Sequence, residues 1–175
     1  MKPVHRILAL SLFALCAFLA LSVGSAAQAG KDTLLTAAQA AKLVPTTVYF
    51  DGKSATTQLR NAGGVHYASG PYTLAVLVDT SGYSTAVQQK YQGYLLTDVP
   101  LSIGGQTLAS GAYGMGFAGG QFVVLDVGNH QLLSAPAKHD TAMKHPRPLQ
   151  VLPAATAGSW RLCSGRDCVD FSPAS

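Results

Sequence analysis

The amino-acid sequence predicts an all-β fold, an antiparallel β-sandwich or barrel built from meander hairpins, with one short helix near the N-terminus. All eight acidic residues of the 175-residue chain are Asp and none is Glu, and Asp favours turns whereas Glu favours helices. From Val99 onward, turn pairs recur at Gly104-Gly105, Ser110-Gly111, Gly119-Gly120 and Gly128-Asn129. Turn signals at such short, regular spacing are typical of an antiparallel meander.

The first residues predict a secretory signal peptide from Met1 to Ala29. A basic start is followed by an apolar run from Ile7 to Val23, and Ala27 and Ala29 form an A-x-A cleavage pattern. A transmembrane anchor is the alternative, because the run reaches the lower limit of a bilayer span. Small residues follow the run directly, so we favour cleavage. The mature protein is then predicted to be secreted or periplasmic, without a membrane span.

Residues 30–175 are predicted to form a single β-rich domain, since 146 residues can bury a sizeable core. This part of the chain carries ten basic and eight acidic residues, a net charge of +2. An excess this small, without a basic run, argues against nucleic acid as a partner.

Local patterns place a helix before the strands. Thr36 can cap a helix from Ala37 to Leu43, and Pro45 ends it. The segment TTVYFDGKSATTQLR predicts a hairpin that turns at Asp51-Gly52, and PYTLAVLVDTSG predicts a strand. The segment STAVQQKYQGYLL fits either a short helix or a strand that ends at Gly93.

A glycine-rich stretch, GAYGMGFAGGQFVVLDV at residues 111–127, has the G-x-G-x-x-G spacing of a dinucleotide-binding loop. That fingerprint follows a strand and opens a helix, whereas these glycines precede a strand-like segment. Kinase-type glycine loops come with V-A-I-K, H-R-D and D-F-G motifs, which the sequence lacks. We therefore predict a hairpin that turns at Gly119-Gly120, and no bound cofactor.

One face of this predicted hairpin pairs glycines with branched residues. Gly116 faces Val123 and Gly114 faces Leu125 across the turn. The missing side-chain volume lets another backbone or an aromatic ring approach this face. We predict packing against a second sheet, and the alternative is a binding face for a ligand or partner.

Asp126 is the one ionisable residue in an otherwise apolar strand. A carboxylate there needs a hydrogen bond because its desolvation is costly. Tyr113 lies opposite in the predicted ladder and carries a hydroxyl donor. We predict a structural Tyr113–Asp126 pair rather than a catalytic acid.

Two cysteines near the C-terminus, Cys163 and Cys168, flank a predicted four-residue turn between strands at Trp160–Cys163 and Cys168–Phe171. In an exported chain this arrangement predicts a disulfide. A zinc site with His139 and His145 is the alternative, because both spacings approach those of zinc ligands. Oxidising conditions compete for the thiolates, so we favour the disulfide and predict no metal.

No catalytic motif is found: G-x-S-x-G, H-E-x-x-H and S-x-x-K with its companion motifs are all missing. We predict a non-catalytic binding or envelope-associated accessory module for proteins or small ligands. The alternative is a secreted, hydrolase-like enzyme that uses Asp126 or the loop with His139, Asp140 and His145. A cleft joining Asp126 to a histidine would favour that enzyme.

The segment DVPLSIGGQTLASGAYGMGF resembles the strand, turn and hairpin of secreted bacterial domains of unknown function. The shared pattern is G-x-x-L-x-x-G-x-Y, formed here by Gly105, Leu108, Gly111 and Tyr113. The resemblance implies an exported β-sandwich and supplies no catalytic residues.

Overall fold

The computed structural model describes residues 31–174, so the predicted signal peptide lies outside the described residues. The chain forms two antiparallel sheets that pack as a β-sandwich, which confirms the predicted all-β class. Two one-turn helices accompany them, α1 (Ala37–Ala40) and α2 (Thr85–Gln88). No helix within residues 31–174 has the length and apolar character needed to cross a membrane.

The first sheet contains eight strands in the order β1-β3-β4-β5-β8-β9-β10, with β2 paired to β3. These strands are β1 (Thr33–Leu35), β2 (Thr47–Phe50), β3 (Lys53–His66), β4 (Tyr72–Val78), β5 (Gly93–Thr97), β8 (Gly111–Ala118), β9 (Gln121–Leu125) and β10 (Gln131–Pro136).

The second sheet contains six strands in the order β12-β13-β14-β6-β7, with β11 paired to β14. These strands are β6 (Leu101–Ile103), β7 (Gln106–Leu108), β11 (Lys138–His139), β12 (Arg147–Pro153), β13 (Trp160–Gly165) and β14 (Asp167–Pro173).

The short helix α1 begins where the sequence predicts and ends sooner. The Thr36 hydroxyl accepts a hydrogen bond from Gln39 N, and Gln39 Oε1 accepts one from Thr36 N at 2.9 Å. This reciprocal capping box satisfies donors at the helix start. The helix ends at Ala40 and continues only as a turn. The ambiguous segment before Gly93 contains the second helix, and β5 starts at that glycine.

The predicted hairpin turns form with the backbone that their residues favour. Asp51 and Gly52 have φ of 48° and 75°, and Gly119 and Gly120 have 57° and 75°. Two consecutive positive φ values are the geometry of a type I′ turn, which suits the twist of paired strands. The β8–β9 register places Gly116 opposite Val123, as predicted.

The first hydrophobic core lies between the two sheets. Ala75, Leu95 and Phe122 from the first sheet pack with Leu162 and Phe171 from the second. Phe122 is fully buried. This layer is the interior expected of a β-sandwich.

A second core lies on the other side of the first sheet. The β2–β3 hairpin and the segment around α2 fold over that face and bury Leu74, Val76 and Leu125. Phe50, Tyr83 and Tyr91, which we call the aromatic cover, occupy its centre, and the Phe50 and Tyr91 rings stack with centroids 3.8 Å apart. The first sheet is therefore buried on both faces.

The two lateral sides of the sandwich differ. On one side Gln106 Nε2 of β7 donates a hydrogen bond to Ser134 O of β10 at 2.6 Å, which joins the sheet edges. On the other side the edge strand β12 runs beside β3. Both of these strands are irregular: residues 59–61 bulge from β3, and the β12 register shifts between Arg147 and Gln150.

Candidate functional site

A groove of about 490 Å³ lies on this second side, between β3 and β12. Its walls come from the residues just before α1, the bulge of β3, residues 143–145 and the irregular part of β12. Bulges re-aim side chains and occur often beside functional sites. The two bulges thus shape a concave surface at an edge where a regular sandwich would be flat.

The groove carries an uncompensated positive charge. Arg60, Lys144 and Arg147 line it and are exposed. Within residues 31–174 none of the three side chains forms an ion pair or donates a hydrogen bond. His145 is the fourth basic residue, and none of the described lining residues is acidic. An anion entering the groove would meet cations that have no competing partner.

The rest of the lining is aliphatic or amide. Leu35, Met143, Leu149 and Val151 supply apolar surface, and the described lining contains no Phe, Tyr or Trp. Gly63 marks the contact between β3 and β12, because a Cβ built there would lie in ordinary contact with Val151 Cγ2, at 3.4 Å. This contact brings the two strands together at the groove.

The 138–146 loop, which starts with the two-residue strand β11, forms one wall of the groove through residues 143–145, and Arg166 holds it in place. Arg166 Nη1 donates hydrogen bonds to the carbonyl oxygens of Asp140, Thr141 and Met143, at 3.0, 3.1 and 2.7 Å. Gln150 Nε2 reaches Met143 Sδ at 3.1 Å. The wall that presents Lys144 is therefore anchored to the second sheet.

The disulfide between Cys163 and Cys168 is formed, as the sequence predicts, and its Cα atoms are 4.1 Å apart. It closes the turn that presents Arg166. That turn is tighter than the predicted four residues, because Ser164 pairs with Asp167 in the ladder and leaves only Gly165 and Arg166 between the strands. Gly165 has φ of 59°, which suits such a tight turn.

The alternative zinc site is not assembled. Both cysteine sulfurs are bonded to each other, and His139 Nδ1 instead lies 2.6 Å from the Asp167 carboxylate. His145 lines the groove. In the described part of the chain, no group of three or more His, Cys, Asp or Glu residues is arranged to hold a metal ion.

Other cations near the 138–146 loop are neutralised, unlike those of the groove. Arg161 Nε and Lys138 Nζ each lie 3.0 Å from the Asp170 carboxylate, and Arg161 also contacts Asp140 at 3.4 Å. Burial raises the pKa of Asp170, but the hydrogen bonds from Arg161 and Lys138 outweigh it, so the pKa lies below its ordinary value.

The glycine face of the β8–β9 hairpin is not a free binding face. A Cβ at Gly114 would lie 2.5 Å from the Phe50 ring, and one at Gly116 would collide with Lys90 O. Val123 and Leu125 on the same face are buried. The chain itself fills this surface, and its cover comes from β2 and the segment after α2, not from the predicted second sheet.

The predicted Tyr113–Asp126 pair is wrong. The β8–β9 ladder ends at Gly114 and Leu125, so the next two residues are not held opposite each other. Tyr113 Oη donates to Ala109 O at 3.0 Å. Asp126 Oδ1 accepts hydrogen bonds from Gly128 N and His130 N, both at 2.9 Å. The hydrogen bond from His130 N is the main cause that lowers the pKa of Asp126.

The residues of the alternative enzyme site do not converge. Asp126 pairs with His130 at 3.0 Å in an exposed turn, and neither residue lines the groove. His139 binds Asp167 and Asp140 binds Arg161. A general acid needs a pKa raised toward neutrality, whereas the pKa of Asp126 is lowered. The hydrogen bonds to Asp126 stabilise the turn of residues 126–130.

Of the basic groove residues only His145 was among the candidates identified from the sequence, and it was assigned there to a different site. Lys144 and Arg147 lie in the segment KHPRP, which reads as a solvated, proline-rich loop, and Arg60 is the last residue of a predicted hairpin. The one available signal is the density of basic residues in KHPRP. Nothing in the sequence places Arg60 beside that segment.

Comparisons of the chain with protein families, with curated proteins and with solved structures found no match.

Proposed function

We propose that the protein is an exported, non-catalytic binding module whose ligand site is the groove between β3 and β12. The observation that carries this proposal is the set of three cations, Arg60, Lys144 and Arg147, that lie in one concave surface and have no ion-pair partner within residues 31–174. The groove volume of about 490 Å³ falls within the range of small-molecule sites. Unpaired charges of one sign in a cleft attract ligands of the opposite sign.

The chemistry of the lining supports binding over catalysis. Among the described lining residues, His145 is the only imidazole, and there is no carboxylate, serine or cysteine. The Thr36 hydroxyl is engaged with Gln39 Oε1 at 2.8 Å. General acid–base or nucleophilic catalysis needs a partner for the histidine or an activated nucleophile, and the groove offers neither.

Export is supported by the predicted signal peptide and by the disulfide, which persists in oxidising compartments. We expect intact-mass measurement on protein from the periplasm or medium to give a chain that begins at Gly30. Thiol titration after denaturation should then find no free thiol. Retention of residues 1–29 in a membrane fraction would contradict export of the cleaved form.

The binding site is tested with a chemically diverse fragment set and protein labelled for amide NMR. We expect the fragments that bind to shift the amide signals of Gly63 and Val151. Gln150→Trp fills the groove from β12 and should abolish these shifts. Gln131→Trp, at an exposed position of β10 outside the groove, is the matched control and should leave them unchanged. The proposal fails when no fragment shifts the groove amides.

A further inference from the structure

We infer that the groove binds an aliphatic anion, a compact molecule with an acidic head group and a hydrocarbon body. This inference rests on the proposed function and adds the ligand class to it. The head group would meet Arg60, Lys144 and Arg147, and the hydrocarbon would lie on the surface of Leu35, Met143, Leu149 and Val151, all of which line the groove.

The head-group assignment follows from the charges. Arg161 and Lys138, elsewhere on the second sheet, are neutralised by Asp170 at 3.0 Å, and Arg166 Nη1 donates to loop carbonyls. Arg60 and Arg147 have no such partners within residues 31–174. A guanidinium presents paired donors that match a carboxylate in a bidentate geometry. An anion would therefore supply the hydrogen bonds that the described chain does not.

The body of the ligand is assigned from the apolar part of the lining. Sites for sugars and nucleobases commonly present large aromatic side chains for the ligand to stack on. The described lining contains no Phe, Tyr or Trp, and the imidazole of His145 is its one aromatic ring. Aliphatic chains need only apolar contact, which the partly exposed side chains of Leu35 and Val151 provide.

An extended peptide fits the groove less well. A peptide that adds to a sheet edge needs backbone donors and acceptors along that edge. The edge strand β12 contains Pro148 and Pro153, which have no N–H, and its register is broken between Arg147 and Gln150. The edge therefore lacks the regular row of hydrogen-bonding groups that strand addition uses.

Three probes with the same hydrocarbon tail test the inference: octanoate, 1-octanol and octyltrimethylammonium. Protein purified from cells that express the full chain is titrated with each probe, and the amide shifts of Gly63 and Val151 are followed by NMR. We expect octanoate alone to bind in the groove, with an affinity that falls as salt is added because the cations are exposed.

Single variants identify the head-group contacts. Arg60→Gln and Arg147→Gln keep a polar side chain and remove the charge, and each should weaken octanoate binding about tenfold, as expected for loss of a charged hydrogen bond. Lys42→Gln, an exposed cation outside the groove, is the matched control and should not change binding. Lys144→Gln, in the loop, gives a further test if a strand variant fails to fold.

The outcomes separate this inference from the proposed function. Equal binding of 1-octanol and octanoate in the groove would overturn the anion assignment and leave the groove as a ligand site. If no probe shifts the groove amides while fragments of another class do, the aliphatic anion is also wrong. If neither probes nor fragments bind there, both proposals fail.

Discussion

The outer faces of the two sheets carry opposite chemistry. On the first sheet, the aromatic cover buries the outer face. Burial there raises the pKa of Tyr91, and the Tyr91 hydroxyl has no hydrogen-bond partner among the described residues. On the second sheet, Leu162 and Val169 point into the first core, so the adjacent Arg161 and Asp170 lie on the other face. That face carries ion pairs, the disulfide and the attachment of the 138–146 loop.

This difference separates stability from ligand binding. Apolar burial contributes free energy in proportion to area, so the aromatic cover adds to the stability of the first sheet. Exposed ion pairs contribute little to stability, but the ion pairs of Asp170 and the hydrogen bonds from Arg166 fix where the 138–146 loop lies. That loop forms a wall of the groove, so the polar face shapes the candidate site.

The largest effect is expected from removing the centre of the aromatic cover. Phe50→Ala deletes a fully buried ring and should lower the free energy of unfolding by about 3 to 5 kcal/mol. Denaturant titration measures it. Tyr49→Ala, at the neighbouring position where the side chain is 58% exposed, is the control and should change stability by less than about 0.5 kcal/mol. Equal effects at both positions would contradict the assigned cover.

The glycine beneath the cover provides the converse test. Gly114→Val adds volume within 2.5 Å of the Phe50 ring and should cost about 1 to 3 kcal/mol through overpacking. Thermal unfolding should shift down accordingly. Gly82→Val is the matched control, because a Cβ there would meet open space. An unchanged melting temperature for Gly114→Val would mean that the face is not packed as described.

Removing the disulfide tests the role of the polar outer face of the second sheet. Replacing Cys163 and Cys168 together by Ala opens a small ring and should lower stability by about 2 kcal/mol on the loop-entropy estimate. The double substitution should also speed amide hydrogen exchange in the 138–146 loop, because the turn that positions Arg166 is no longer closed by the disulfide. Exchange in β9, which lies in the other sheet, should change less. Uniform acceleration throughout the protein would argue against a local role.

Whether a structural feature of this protein could be predicted from the sequence depends on how far apart in sequence the interacting residues lie. The Gly119-Gly120 hairpin and its register are local, because turn chemistry and strand alternation determine them, and both are confirmed. The cover over Gly114 comes from Phe50, which is distant in sequence, so only the need for some close neighbour could be predicted. The Asp126 prediction is wrong because backbone N–H groups that are close in sequence, those of Gly128 and His130, donate hydrogen bonds to its carboxylate in place of Tyr113.

The groove could not be predicted for the same physical reason. Arg60 and Arg147 each resemble ordinary surface residues, and only the pairing of the sheets brings them to one cleft. The bulges that shape it are departures from strand regularity, and the one turn-favouring residue in the bulge of residues 59–61, Asn61, does not by itself specify a bulge.

The smallest effect concerns the ion pairs of the second sheet. The pKa of Asp170 is lowered in the folded protein, so its contribution to stability is present above the unfolded-state pKa and is lost as pH falls through the folded-state pKa. Asp170→Asn should cost less than about 1 kcal/mol at pH 7, since the pair is partly exposed. Denaturant titrations from pH 7 down into acid should show the difference from wild type shrinking as Asp170 becomes protonated. A difference that persists in acid would point to packing rather than charge.

The prolines of β12 also bear on how separate molecules meet. An exposed sheet edge invites a strand from a second molecule, which is a common start of aggregation. Pro148 and Pro153 each remove an N–H from this strand, and the shift between Arg147 and Gln150 breaks its straight course. The groove can thus stay open to solvent at high protein concentration without becoming a place where chains join edge to edge.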